Sequence, residues 1–233
     1  MAEEAPMRIL LVGNSYTAGT RRAFDALVSG PKVQTAYITP GGRTLQQHLA
    51  NEKTVETVRT GKWDVVVLQE QSQMPSLPGK HGKSFEDGAA KLIQLIKASG
   101  ARPVLYMTWG RRDGDKKNPK VNPDYATMQD RLSEAYCAAG DRNSVLVAPV
   151  GEAWRLARGQ DAALGKELYK KDGSHPSAKG AYLSACVLHA TIFAGDATTL
   201  PVGKGVTTQE AALLRKCAQA AVTAERERAR SGR

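Results

Sequence analysis

MRILLVGNSYTAG, residues 7–19, decides how the rest of the chain is read. An apolar run, Ile9 to Val12, passes without a polar break into Gly13, Asn14, Ser15, Tyr16 and Thr17, which are small, polar or turn-tolerant apart from the tyrosine. A strand covered on both faces loses its alternation. One that opens straight into a helix puts its turn at the carboxyl edge of a sheet, where α/β proteins hold their ligands. Ser15 falls at that edge, where the following helix directs free backbone N–H groups at negative charge. A serine there becomes a nucleophile only if other segments bring a base to it.

Outward from this stretch the same pattern recurs. Strand-like runs are read at residues 33–38, 63–68, 103–107 and 144–150, and helical spacing at 20–29, 45–60, 84–99, 123–139, 151–158, 176–193 and 208–224. The run WDVVVL (63–68) changes abruptly to Gln69-Glu70-Gln71-Ser72, as the first run changes to its glycine turn. Residues 73–83 hold two prolines and two glycines and read as a surface loop; 159–175 reads as another. Five strands alternating with helices in units of about 30 residues predict a parallel sheet covered on both faces. Every strand ends in a polar or glycine-bearing loop on one edge, so distant residues converge there. One domain is expected over residues 1–233, with a core from about 7 to 224 and a disordered charged tail at 225–233.

The formal charge of +10 would suggest nucleic acid if it lay on one stripe. It does not: RRDGDKKNPK (111–120) carries +3 and AERERARSGR (224–233) carries +2, so half of the excess lies in one loop and one tail. Nucleic acid is not an expected partner. Cys137, Cys186 and Cys217 show no CxxC spacing and fall in helical patterns, which reads as buried thiols; neither a metal site nor a cofactor is expected. No apolar run approaches the roughly 18 residues of a membrane span, so a soluble chain without membrane contact is expected. Residues 2–6, AEEAP, look like the start of a chain after a signal peptide has been removed, which would make the protein secreted or periplasmic, and otherwise cytoplasmic.

A base is available in Asp172-Gly173-Ser174-His175-Pro176. Pro176 biases His175 away from helical geometry and suits the first position of a helix, so His175 is expected at a rigid helix cap. Asp172 can fold back across Gly173 to accept the imidazole Nδ1–H, leaving Nε2 for a hydroxyl proton. The same residue types also make an ordinary capped turn, so the motif is weak by itself.

Four blocks together say more. GNSYT after the first strand, GGRT after the second, QEQS after the third and DGSHP before a late helix resemble, in that order, the blocks of the SGNH, or GDSL-type, hydrolase superfamily. The likeness runs from residue 9 to about 190, and is to a bacterial branch reading GNSxT, LQEQS and DGxHP. It implies a three-layer α/β/α sandwich of flavodoxin-like type with a central five-stranded parallel sheet. It also implies Ser15 as nucleophile, His175 as general base and acid, and Asp172 orienting His175. The oxyanion hole of such enzymes uses the backbone N–H groups of the serine and of the glycine matching Gly42, plus an asparagine side chain in the third block. QEQS has no asparagine: Gln71 takes that place by counting, and Gln69 is the other candidate. Glu70 between them is read as a tie for the loop, outside catalysis.

The resemblance implies a serine esterase for small acyl esters, with an O-acetylated carbohydrate as substrate class, and no cofactor. A lipase or thioesterase for longer acyl chains is the enzymatic alternative, and a glycan-binding module on the same fold is the alternative of another class. Asn14 and Trp109 are candidate substrate-binding residues, Trp109 because it follows the fourth strand on the functional edge; a core aromatic is the competing reading. A phosphate loop is excluded because Gly13 and Gly19 lack the G-x-x-x-x-G-K-[ST] spacing. The α/β-hydrolase fold, with its G-x-S-x-G elbow, is disfavoured because residue 17 is threonine.

Overall fold

The computed structural model describes residues 5–231. Five strands, β1 (Met7–Val12), β2 (Val33–Ile38), β3 (Val65–Leu68), β4 (Arg102–Tyr106) and β5 (Leu146–Ala148), form one sheet in the order β2-β1-β3-β4-β5, with every pair parallel. Alternate residues of β1 serve two cores. Ile9 and Leu11 face α1 (Ser15–Leu27), α6 (Val150–Gln160), α8 (Ala178–Phe193) and α9 (Thr208–Ser231); Leu10 and Val12 face α2 (Leu45–Leu49), α3 (Glu52–Thr60), α4 (Lys80–Ala98) and α5 (Tyr125–Asn143). This is the three-layer α/β/α sandwich; central β3 is buried and apolar at every position because both of its faces are covered, whereas edge strand β2 is only half-buried and carries Gln34 and Thr35.

The register sets the functional edge. Val12 pairs with Ile38 of β2 and with Leu68 of β3, and Leu68 pairs with Leu105 of β4, so the chain leaves the first three strands at one level. In this strand order the crossovers from β1 run to opposite sides, opening a crevice between β1 and β3 above their carboxyl ends. Ser15 and the QEQS turn flank that crevice.

Several local expectations are corrected. Residues 45–60 are two helices, because Asn51 turns the chain and caps α3 by accepting the Thr54 N–H at 2.9 Å. Residues 73–83 are not a surface loop: a 3-10 turn at Met74–Ser76 buries Pro75, Ser76 and Leu77, and α4 begins at Lys80. The segment 159–175 holds a further helix, α7 (Ala162–Glu167), capped by the Asp161 carboxylate. The charged end is helical as far as Ser231. Arg228 bridges Glu225 on its own helix and Asp141 on α5, and the Arg226 guanidinium donates to the Ala190 carbonyl at 2.8 Å. Residues 1–4, most of the segment read as following a signal peptide, and residues 232–233 lie outside the described residues. No described helix is long and apolar enough to cross a membrane.

Candidate active site

Ser15 is the first residue of α1, where a backbone N–H has no acceptor within the helix. Asn14 caps that helix, its Oδ1 accepting the Tyr16 N–H at 3.2 Å. Ser15 therefore sits at the positive end of a 13-residue helix with its side chain at the mouth of the β1–β3 crevice.

His175 arrives from the far end of the chain. It lies in a bend ahead of the helix, pinned by backbone bonds on either side: the Lys170 N–H donates to the His175 carbonyl at 2.8 Å, the Ser177 N–H donates to the Leu168 carbonyl at 2.8 Å, and Pro176 bridges Tyr169. The helix cap is Ser177, two residues beyond the expected place. His175 Nε2 lies 2.9 Å from Ser15 Oγ, and Nδ1 lies 2.6 Å from Asp172 Oδ2. The other Asp172 oxygen accepts the backbone N–H groups of Ser174 and His175 at 2.9 and 3.0 Å. Burial works to raise the Asp172 carboxyl, but the imidazole and these two N–H groups outweigh it and hold it below the usual carboxylate range. An ionised Asp172 selects the tautomer with Nδ1 protonated and Nε2 free toward Ser15. Such a chain of contacts can pass a proton from a serine hydroxyl to an imidazole.

The comparisons with known proteins bear on the family and the fold. A protein from Slackia heliotrinireducens, named as an SGNH hydrolase, superposes with a TM-score of 0.68 and 32% identity, covering 80% of this chain and 99% of that one. The chain belongs to the SGNH hydrolases. The fold alone is shared with a DUF4886 family protein from Bacteroides uniformis ATCC 8492 (TM-score 0.76, 17% identity, 94% of this chain and 95% of that one) and with the acetyl xylan esterase AlAXEase (0.63, 13%, 80% and 100%). No family model and no curated protein matches the chain.

Within this SGNH hydrolase the four blocks are tied to one another. The Gln69 amide oxygen accepts from the Asn14 N–H at 3.0 Å, the Thr17 N–H at 3.3 Å and the Thr17 hydroxyl at 2.8 Å, while its amide nitrogen donates to the Glu70 carbonyl. Fully buried and bonded at both ends, Gln69 holds the serine turn from below, with its amide nitrogen in the interior rather than at the rim. Gln71 is half-buried; its side-chain Oε1 accepts the Gln73 and Met74 N–H groups, and its amide nitrogen donates to Gln73 Oε1 at 3.1 Å. Of the two glutamines it is the one with a second amide hydrogen at the rim. Gly42 sits in a turn at φ +66, a conformation open to glycine, with the Arg43 N–H returning to the Pro40 carbonyl at 3.4 Å.

The two candidate substrate contacts are corrected. Trp109 is fully buried, stacked between Tyr16 (4.6 Å between ring centres, 11°) and Trp154 (4.1 Å, 3°), and its indole N–H donates to the Ser174 carbonyl at 3.0 Å. It is the floor under the His175 turn. Asn14 is only 2% exposed, and its amide donates to the Arg43 carbonyl at 3.0 Å, fastening the GGRT turn to the serine turn. Sequence reasoning missed Tyr16, whose hydroxyl meets Ser174 Oγ at 2.6 Å and whose ring stands edge-on to His175 at 5.4 Å. The signal was present, since Tyr16 is the only large residue in the GNSYT turn.

Proposed function

We propose that this hydrolase is a serine esterase for short acyl esters, with O-acetylated carbohydrates as its substrate class. The observation that carries the reading is the hydrogen-bonded line from Ser15 Oγ through His175 to Asp172, at 2.9 and 2.6 Å. His175 Nε2 takes the hydroxyl proton as Ser15 Oγ attacks the ester carbonyl. The tetrahedral oxyanion is held by the backbone N–H groups of Ser15 and Gly42 and by a Gln71 side chain turned toward it. Collapse passes the proton from His175 to the leaving alcohol, and a water deprotonated by His175 then releases the acid. A sugar ester suits an open site: the His175 and Asp172 side chains are 36% and 48% exposed, so a bulky polar alcohol can reach them without displacing a cover.

A second reading, a lipase or thioesterase for longer acyl chains, draws on one feature. Gly19 and Ala26 continue the α1 face that begins at Ser15, and with Pro176, Ala181 and Val202 they line a mostly apolar cavity of about 700 Å³. The two readings separate by chain length. Wild type and Ser15→Ala are compared on p-nitrophenyl acetate, butyrate and decanoate: the acetate is expected to be cleaved fastest, with Ser15→Ala inactive on all three. A preference for decanoate favours the lipase reading, and no cleavage of any ester favours a binding module.

A further inference from the structure

The turns after β1, β2 and β3 are joined in a ring. Gln69 at the end of β3 holds Asn14 and Thr17 of the serine turn, and Asn14 holds Arg43 of the GGRT turn. The ring closes at Glu70. Its two carboxylate oxygens each accept the Leu45 N–H at 3.2 Å, at the end of the GGRT block, and Oε1 also accepts the Gln71 N–H at 2.6 Å.

Glu70 is fully buried, and among the described residues its carboxylate makes no ion pair; the groups that satisfy it are these two backbone N–H groups. A buried carboxylate without a cation is costly, and an apolar residue of similar volume would pack without that cost. Such a cost is tolerated where the group fixes geometry that function needs. What Glu70 fixes is the separation of the two turns that carry Gly42 and Gln71. Both groups it binds are backbone N–H groups of these turns, so the buried carboxylate acts through them.

We propose that Glu70 is a positioning residue for ester cleavage, closing the ring that holds the Gly42 and Gln71 turns at fixed distance around Ser15. This rests on Ser15 being the nucleophile and on those two turns supplying the oxyanion donors. Loosening the ring weakens donors that act only in the transition state, so turnover falls while substrate affinity is kept.

The test measures kcat and KM for p-nitrophenyl acetate, with the thermal midpoint, for wild type, Glu70→Ala, Glu70→Gln and Ser15→Ala. Glu70→Ala is expected to lower kcat about 10- to 100-fold with KM within about threefold. Glu70→Gln, which keeps one acceptor, is expected to fall between it and wild type, with a midpoint at or above the wild-type value. If Glu70→Ala does not fold, Glu70→Gln carries the test alone. The proposal is overturned if Glu70→Gln and any folded Glu70→Ala keep wild-type kcat while Ser15→Ala is inactive, or if their activity falls only in step with loss of folded protein. Full activity in Ser15→Ala overturns the nucleophile reading first, and the proposal with it.

Discussion

Gly19 lies so close to Pro176 that a β-carbon at position 19 would stand 2.8 Å from Pro176 Cγ. One turn along α1 from Ser15, this contact sets how near the helix bearing the serine comes to the segment bearing His175. Pro176 is held on its other side by the bridge to Tyr169, so it has little freedom to retreat. Gly19→Ala is expected to push His175 off its 2.9 Å contact with Ser15 and to lower kcat about 10- to 100-fold. Steady-state kinetics on p-nitrophenyl acetate check this, and unchanged kcat in a folded variant would show that the contact does not govern the serine–imidazole distance.

Asp172 fixes both the ring and the backbone of His175. Asp172→Asn keeps the shape but offers the imidazole an amide, which favours the wrong tautomer. Turnover is expected to drop by about 10³-fold or more at neutral pH. Because the Asp172 carboxyl is held below its usual range, the hydrogen bonds to it persist in mildly acidic solution and are lost only as pH falls through that depressed value. A pH–rate profile in which Asp172→Asn matched wild type would remove the residue from the reaction.

The two glutamines of QEQS are expected to part company. Gln69→Ala removes the acceptor of three donors in the serine turn and leaves them buried, so both the thermal midpoint and kcat should fall. Gln71→Ala removes a rim donor and should lower kcat about 10²-fold with little change in the midpoint. Paired melting curves and kinetics distinguish them; a silent Gln71→Ala would move the third oxyanion donor elsewhere.

Burial pushes the Glu70 carboxyl up to about 7, against the Gln71 and Leu45 N–H groups that lower it. Between the ordinary carboxylate range and that value the folded protein binds the proton more tightly than the unfolded chain does, so this group's contribution to stability is lost as pH rises toward 7. Glu70→Gln lacks this dependence. Its stability advantage over wild type, from urea titration, is therefore expected to be larger at pH 8 than at pH 4.5; an advantage independent of pH would contradict the raised carboxyl.

The parts of the fold written in short local patterns were legible. WDVVVL and residues 9–12 announce buried parallel strands because their apolar runs do not alternate, and the helix read at 84–99 ends within a residue of α4. Asp172 and His175 could be paired from sequence because three residues separate them. What sequence did not reveal depends on packing between distant segments. Trp109 is apolar, follows a strand and stands at the functional edge, yet its position between Tyr16 and Trp154 is set by residues 93 positions before it and 45 after it. Residues 73–83 carry loop composition, but Pro75, Ser76 and Leu77 are buried at a 3-10 turn and α4 takes up the chain from Lys80. The charged end of α9 looked frayed because its arginines are excessive within the tail; their partners Asp141 and Ala190 lie on other helices.

The stack of Tyr16, Trp109 and Trp154 gives the protein a built-in optical reporter. Two indoles 4.1 Å apart and within 3° of parallel couple their electronic transitions, and Tyr16 beside them borders both Ser15 and His175. Of the three tryptophans only Trp63 stands apart from this stack, on the opposite face of the sheet. Near-ultraviolet circular dichroism therefore reads the floor of the site without any label, and a ligand that shifts the serine turn announces itself in that signal.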